Sequence, residues 1–235
     1  MFTAVQTETG QEGQRSQTGW AYSVIRGDII AGRHPPNKKM KIQDLAAELK
    51  VSPGAVREAL SRLVPEQLVI SREQRGFIVA PLSITDLEDL TALRCEIEAI
   101  ALRQSVVKGD LRWEANLVAA AHRLRSGVKA GGNGDRASIE EWRDSHAAFH
   151  AALIGGCGSQ RLIALHAQLY EQSERYRMLS VYVEPKRNVT GEHQEIVDVA
   201  LKRNADKLVD VAVSHIRRTT DLIVKAAAKQ GLLEA

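Results

Sequence analysis

The stretch IQDLAAELKVSPGAVREALSRL, residues 42–63, decides how the N-terminal part of this chain is built. Ile42, Leu45, Ala46 and Leu49 fall at i, i+3, i+4 and i+7, the spacing of one face of a helix. KVSP at 50–53 interrupts that period. Ser52 belongs to the residue types whose side-chain oxygen caps a helix N-terminus, and Pro53 suits the first turn, where its missing N–H is no loss. The helix that follows, to about Val64, is expected to turn Val56, Leu60 and Leu63 inward. Gly54, Ala55, Arg57, Glu58 and Ser61 are then expected on its outer face.

Upstream, residues 20–31 have apolar positions near helical spacing, with Gly32 as C-cap and His34-Pro35-Pro36-Asn37 as a loop. Downstream, LVISREQRGFIVA (68–80) sets two β-branched runs around a charged tip ending in Gly76, which predicts a hairpin. Two short helices across a tight turn, followed by a hairpin, make a winged helix-turn-helix. Such a second helix enters the major groove of DNA by its N-terminal end. Arg57 is long enough for guanine O6/N7 or a phosphate, Ser52 can donate to phosphate, and Gly54 admits close backbone approach. Arg72, Arg75 and Gly76 at the wing tip reach toward the minor groove. The plainer alternatives are a solvated Arg-Glu face or a protein-contact surface.

Pro81-Leu82-Ser83 marks a boundary. Beyond it the sequence reads as six helices, roughly 84–107, 111–129, 138–154, 159–180, 190–203 and 205–230, with Ser138 and Glu141 as a capping box. Short connections predict an antiparallel bundle. The expected fold is therefore mainly α. Residues 1–18, rich in Gln, Thr, Gly and Glu, form a flexible arm. Residues 19–82 form the winged helix-turn-helix, and 83–235 the helical domain.

Composition bounds the function. The 235 residues carry a net charge of +3, and 44% are apolar, enough for a real core. Residues 1–82 hold 11 of the 32 Lys/Arg but 8 of the 29 Asp/Glu, so the whole excess of positive charge lies there and points to an anionic partner for that part. No apolar run has a membrane helix's length. Cys95 and Cys157 lack metal spacing and read as two buried thiols in a reducing cytoplasm.

The second pattern is HAAFH, residues 146–150. On the 138–154 helix the inward stripe runs Ile139, Trp142, His146, Phe149, His150, Leu153. His193 begins the apolar series Ile196, Val197, Ala200, Leu201, and His215 follows Leu208, Val211 and Ala212. Four of the seven histidines thus point into one bundle from three helices. A single buried imidazole is ordinarily a hydrogen-bonded core residue. Four without partners would cost a few kcal/mol each, and a bound cation gives His146, His150, His193 and His215 a common partner. His166 also sits near an apolar stripe and stays ambiguous, while His34 and His122 read as surface residues.

The run PPNKKMKIQDLAAELKVSPGAVREALSRL (35–63), followed by LV and RGFIVAPLS, resembles the N-terminal domain of GntR-type transcriptional regulators. That resemblance assigns operator contacts to Ser52, Gly54, Arg57, Arg75 and Gly76. The family usually has Arg after the Ser, where this chain has Pro53; Lys50 or Lys41 would compensate at phosphate. DLEDLTALRCEIEAIA, FHAALIGGCGSQRL and EHQEIVDVAL resemble the FCD ligand-binding domain of the FadR-like branch, in its shorter six-helix form. Most relatives have Asp four residues before the FH histidine, where this chain has His146. An all-imidazole set favours zinc, with nickel or copper next, over manganese or magnesium; Asp144 lies on another face and is a poor substitute.

The resemblance further implies a small organic acid held by the metal, with Arg94 of the RxxxE pattern assisting. The competing reading of Arg94 is a surface i, i+4 ion pair with Glu98. Arg175 and Arg177 are further pocket candidates. The implied protein is a cytoplasmic repressor, not an enzyme, that binds a near-palindromic operator as a homodimer and answers to a carboxylate. The rivals are a metal-dependent hydrolase with a DNA-binding appendage and a regulator whose metal is purely structural.

Overall fold

A computed structural model of the chain describes residues 17–72, 76–130, 136–180, 187–230 and 233. These divide into two compact units, residues 1–81 and 82–235. Residues 1–16 of the expected arm lie outside the described residues, as does Arg75. Gln17 and Thr18 already belong to a helix.

The first unit contains α1 (Gln17–Ile30), β1 (Lys39–Met40), α2 (Ile42–Leu49), α3 (Pro53–Leu63), β2 (Val69–Arg72) and β3 (Gly76–Val79). Ser52 caps α3 as its sequence predicts: its Oγ accepts from the Ala55 N–H at 3.2 Å, with Pro53 in the first turn. Lys50 closes α2 in the left-handed region, φ 55°. The sheet is antiparallel in the order β1-β3-β2, with Ile78 opposite both Lys39 and Ile70. The hairpin was expected; β1 was not. Two residues are too short to carry a period-2 pattern, and pairing with β3 defines them.

α1 packs on α3, and Ile25, Ile29, Val56, Leu60, Leu63, Leu68 and Val79 form one core. Leu60 and Leu63 are fully buried. Leu60→Ala is expected to destabilise this unit by about 3 kcal/mol through lost transfer energy and a residual cavity. Denaturant unfolding followed by circular dichroism would measure it. Two expectations fail here. Ala55 is buried rather than outward, because α3 turns a wide face to α1 as well as to α2. His34 is buried rather than exposed: the chain folds back after Gly32, and Lys38 Nζ lies 3.0 Å from its Nδ1.

The second unit contains α4 (Ile84–Lys108), α5 (Leu111–Ala130), α6 (Arg136–Ile154), α7 (Gln160–Ser180), α8 (Val189–Leu201) and α9 (Ala205–Gln230), with a 3-10 turn at Gly155–Cys157. α6 begins at Arg136, so Ser138 lies inside the helix and is not its cap. α8 ends at Leu201, because Arg203 takes a positive φ of 55°. α4 packs on α9 and α7, and α5 on α6 and α8. The 3-10 turn presses on the end of α4: a Cβ on Gly156 would sit 3.0 Å from both Gly109 Cα and the Ser105 carbonyl. Leu102, Trp113, Leu117, Phe149, Leu153, Ile196 and Leu208 make the main core. Leu87, Leu90, Leu169, Tyr176 and Ile223 make a smaller one. A polar cluster adjoins both.

Candidate functional site

That cluster is the meeting point of α6, α8 and α9. The HAAFH spacing puts His146 and His150 one turn apart on the buried face of α6. α8 starts from a side-chain cap, Asn188 Oδ1 accepting from the Gly191 N–H at 2.9 Å, which sets His193 in the second turn. His215 comes from the middle of α9. Each of the four is buried, and each can offer a ring nitrogen so that all four atoms lie within 4.8 Å of one another. His146 Nε2 is 3.2 Å from His193 Nε2 and 3.3 Å from His150 Nε2. A tetrahedral ion with metal–nitrogen bonds of ~2.0–2.1 Å would space its ligands by about 3.4 Å. The donor chemistry and these two edges fit a divalent late transition metal.

Burial makes all four imidazoles poor bases. His150 is pushed down to about 3 and His193 to about 2, in each case first by loss of hydration. His146 is lowered well below its ordinary value by burial and then by Arg177. His215 is lowered by burial against the opposing effect of Glu192. Neutral imidazole is the ligating form, so no ring must shed a charge to bind an ion near neutral pH.

Outer partners choose which nitrogen faces the centre. Glu192 Oε2 accepts from His215 Nδ1 at 2.8 Å, and Arg187 grips the same carboxylate at 2.6 and 3.0 Å. With its proton on Nδ1, His215 presents Nε2. Glu98, fully buried on α4, lies 3.6 Å from His150 Nδ1 and accepts from His166 Nε2 at 2.9 Å. Burial alone would raise the Glu98 carboxyl; the imidazoles of His150 and His166 hold it well below the carboxylate range. His146 differs. Its Nδ1 faces both the Tyr170 hydroxyl and Arg177 Nη1. A guanidinium only donates, and the same Nη1 also lies 3.3 Å from His146 Nε2, so either ring nitrogen can accept from Arg177. With its proton on Nδ1 and donated to the Tyr170 hydroxyl, His146 offers Nε2 toward the other rings.

A cleft beside the histidines takes in Thr91, Arg94, Ser173, Arg177 and Thr220. Arg94 is buried, donates from Nη1 to Ser173 Oγ at 2.9 Å and lies over the Tyr170 ring, yet its Nε has no hydrogen-bond partner. The alternative of a surface ion pair with Glu98 fails, since both side chains are buried and Glu98 is engaged by His150 and His166. Arg177 also reaches this cleft and pairs with Glu174 at 3.0 Å. Arg175, although buried, does not line it. His166 proves to be a partner of Glu98, and His122 is exposed. Cys95 and Cys157 are free and buried.

In the first unit, Ser52, Gly54, Arg57 and Glu58 are exposed along the start of α3, and Arg72 and Gly76 are exposed at the end of the hairpin. Gly76 sits at φ +82°, a conformation that favours glycine and lets the wing turn back. A basic side chain at the N-terminal end of a capped helix, beside a basic hairpin, has the form of a groove-reading surface.

Residues 18–79 match the gntR family of bacterial regulatory proteins, and residues 89–218 match the FCD domain. The chain belongs to the gntR family and carries an FCD domain. This GntR chain is 38% identical to the HTH-type transcriptional regulator BphR of Paraburkholderia xenovorans (strain LB400), over 89% of its own length and 86% of that protein's. It is 31% identical to the HTH-type transcriptional repressor GlaR of Escherichia coli, over 88% of its own length and 96% of that protein's. A crystal structure of a putative GntR transcriptional regulator from Rhodococcus sp. RHA1 has the same fold: TM-score 0.72 at 21% identity, covering 90% of this chain and 99% of that one. These relatives are transcription regulators, which removes the hydrolase reading. Among the described residues no helix is long and apolar enough to cross a membrane.

Sequence reasoning missed Glu98 as an outer partner, together with Tyr170 and Glu192. Glu192 had a signal, standing beside His193 in EHQE. Tyr170 had none, being 24 residues from the ring it touches.

Proposed function

We propose that this GntR-family regulator is a cytoplasmic repressor whose hold on a near-palindromic operator is controlled by a small carboxylate bound beside a metal in the FCD domain. The observation that carries this reading is the convergence of four buried imidazoles next to a buried arginine with an unpartnered Nε. His146, His150, His193 and His215 would hold the ion, zinc first and nickel second, since nitrogen-only sets select late transition metals. Bound there, the ion supplies a Lewis-acidic centre for a carboxylate oxygen. Arg94 neutralises and orients the acid, with Ser173 fixing the guanidinium. Arg177, which lines the same cleft, is a second cation for the acid. An alternative in which the metal is only structural leaves Arg94 buried without an anion, an arrangement that costs stability.

On the DNA side, Ser52, Gly54, Arg57, Arg72, Arg75 and Gly76 supply the contacts. As a homodimer the protein would set two α3 helices about one turn of duplex apart, ~34 Å. The acid shifts the operator-competent population only by its differential affinity for the two arrangements.

A thermal-shift screen of small organic acids tests the effector reading. The active acid is expected to raise the midpoint of the metal-loaded protein by stabilisation that grows with occupancy. The shift should vanish with chelator and in Arg94→Ala. An acid that acts equally on chelated protein, or on Arg94→Ala, would contradict a metal-held carboxylate.

A further inference from the structure

The FCD unit has a second cavity, which shares no lining residue with the cleft beside Arg94. It lies between α5, α6 and the start of α8 and encloses about 210 Å³, against about 20 Å³ for that cleft. An apolar cavity of roughly 150 Å³ already holds benzene, so the space suits a single ring with one substituent. Of the four clustered histidines only His193 lines it. Its apolar wall is Ala121, Leu124, Trp142 and Val189. Trp142 is half-buried. His146 stacks on it with centroids 5.0 Å apart, and the Arg177 guanidinium lies 5.0 Å from the ring centre. Arg177 Nη1 is 3.3 Å from His146 Nε2, so both groups occupy one flank of the indole. The opposite face and the edge are left to line the cavity. The charge of the lining is one-sided, with two arginines and no carboxylate. Arg187 is neutralised by Glu192 at 2.6 Å. Arg125 is exposed, and among the described residues it meets no carboxylate: Nη1 donates to Gln194 Oε1 at 3.2 Å, and Nη2 lies 3.3 Å from His122 Nδ1.

We propose that this cavity is a second small-molecule site, separate from the metal-held effector, that takes a flat ring bearing one anionic group. The ring packs on Trp142 and Leu124, offset or edge-on to the indole. The anion meets Arg125, whose present partners carry no opposing charge and are exchanged for a charge-assisted pair. A mostly apolar pocket with one convergent charge is the ordinary form of a site for a small ligand. Neither the metal nor Arg94 takes part, so the site stands or falls apart from the function proposed above.

Isothermal titration calorimetry of the full-length protein with benzoate tests the site. The Arg94→Ala background isolates it, because that change removes the guanidinium that serves an acid in the other cleft. Benzoate is expected to bind there saturably. Adding Arg125→Ala should weaken it roughly tenfold or more, through loss of a charged hydrogen bond. Its circular dichroism should be unchanged, since Arg125 is exposed. Trp142→Leu should weaken benzoate several-fold. Cyclohexanecarboxylate, with the same charge and no flat ring, should bind less well than benzoate, and acetate less well again. Benzoate binding abolished by Arg94→Ala and untouched by Arg125→Ala would overturn this site while leaving the metal-held effector standing. Equal affinity for cyclohexanecarboxylate would overturn the packing of a ring on Trp142. No saturable binding of benzoate at millimolar concentration in Arg94→Ala would overturn the site itself.

Discussion

Replacing His150 by alanine is expected to lower metal affinity by roughly a hundredfold or more. Structural zinc sites contribute ~10–16 kcal/mol in all, so one of four ligands accounts for about 3 kcal/mol. His150 has ring contacts with each of the other three histidines. Its Nε2 lies 3.3 Å from His146 Nε2, and its Nδ1 looks toward Glu98 rather than toward another ligand. Competition titration with a chromophoric chelator would read the loss. The same variant should lose the stabilisation that carboxylates give the loaded protein, because the ion and the acid share one cleft. Undiminished affinity would remove His150 from the ligand set. Glu98→Gln separates ligation from positioning: it keeps the shape and removes the outer charge, so a loss of ~10–100-fold is expected.

The second large effect is on DNA. Arg57→Ala is expected to reduce operator affinity by about a thousandfold. A well-placed arginine is worth about 2 kcal/mol per half-site, and a two-fold operator counts it twice. Arg57 is exposed on the first turns of α3 and no residue of the core depends on it, so the fold should be intact. Fluorescence anisotropy with the cognate operator measures this at fixed salt, since phosphate contacts make any affinity salt-dependent. Normal sequence-specific binding by Arg57→Ala would move the reading surface elsewhere.

What was legible in the sequence was what short-range pattern controls. The α2–α3 turn could be read because Ser52 and Pro53 announce a helix start, and the apolar period on either side says which face is buried. The histidine cluster could be read because four imidazoles sit in register with Leu and Ile on their own helices. What escaped depends on pairing across distance. β1 exists only because β3 lies beside it. The burial of His34 follows from the chain folding back after Gly32, which the turn residues around it conceal. Glu98 stands four residues from Arg94 and suggests a local ion pair. The bundle turns it instead to His150 and His166, 52 and 68 residues away. Its burial beside two imidazoles is a tertiary fact that no local spacing encodes. Trp142, expected on the inward stripe, is half-buried and stacks on His146 with centroids 5.0 Å apart, at the edge of the cluster rather than within the core.

The proposed sensor depends on one cation held by nitrogen alone. X-ray absorption spectroscopy of the zinc-loaded full-length protein tests that most directly. The predicted result is a first shell of imidazole nitrogens at ~2.0–2.1 Å, with the multiple-scattering pattern of several histidine rings and a carboxylate oxygen added on binding the acid. A shell containing sulfur, a shell dominated by oxygen before any acid is added, or protein that retains no ion at all would contradict it.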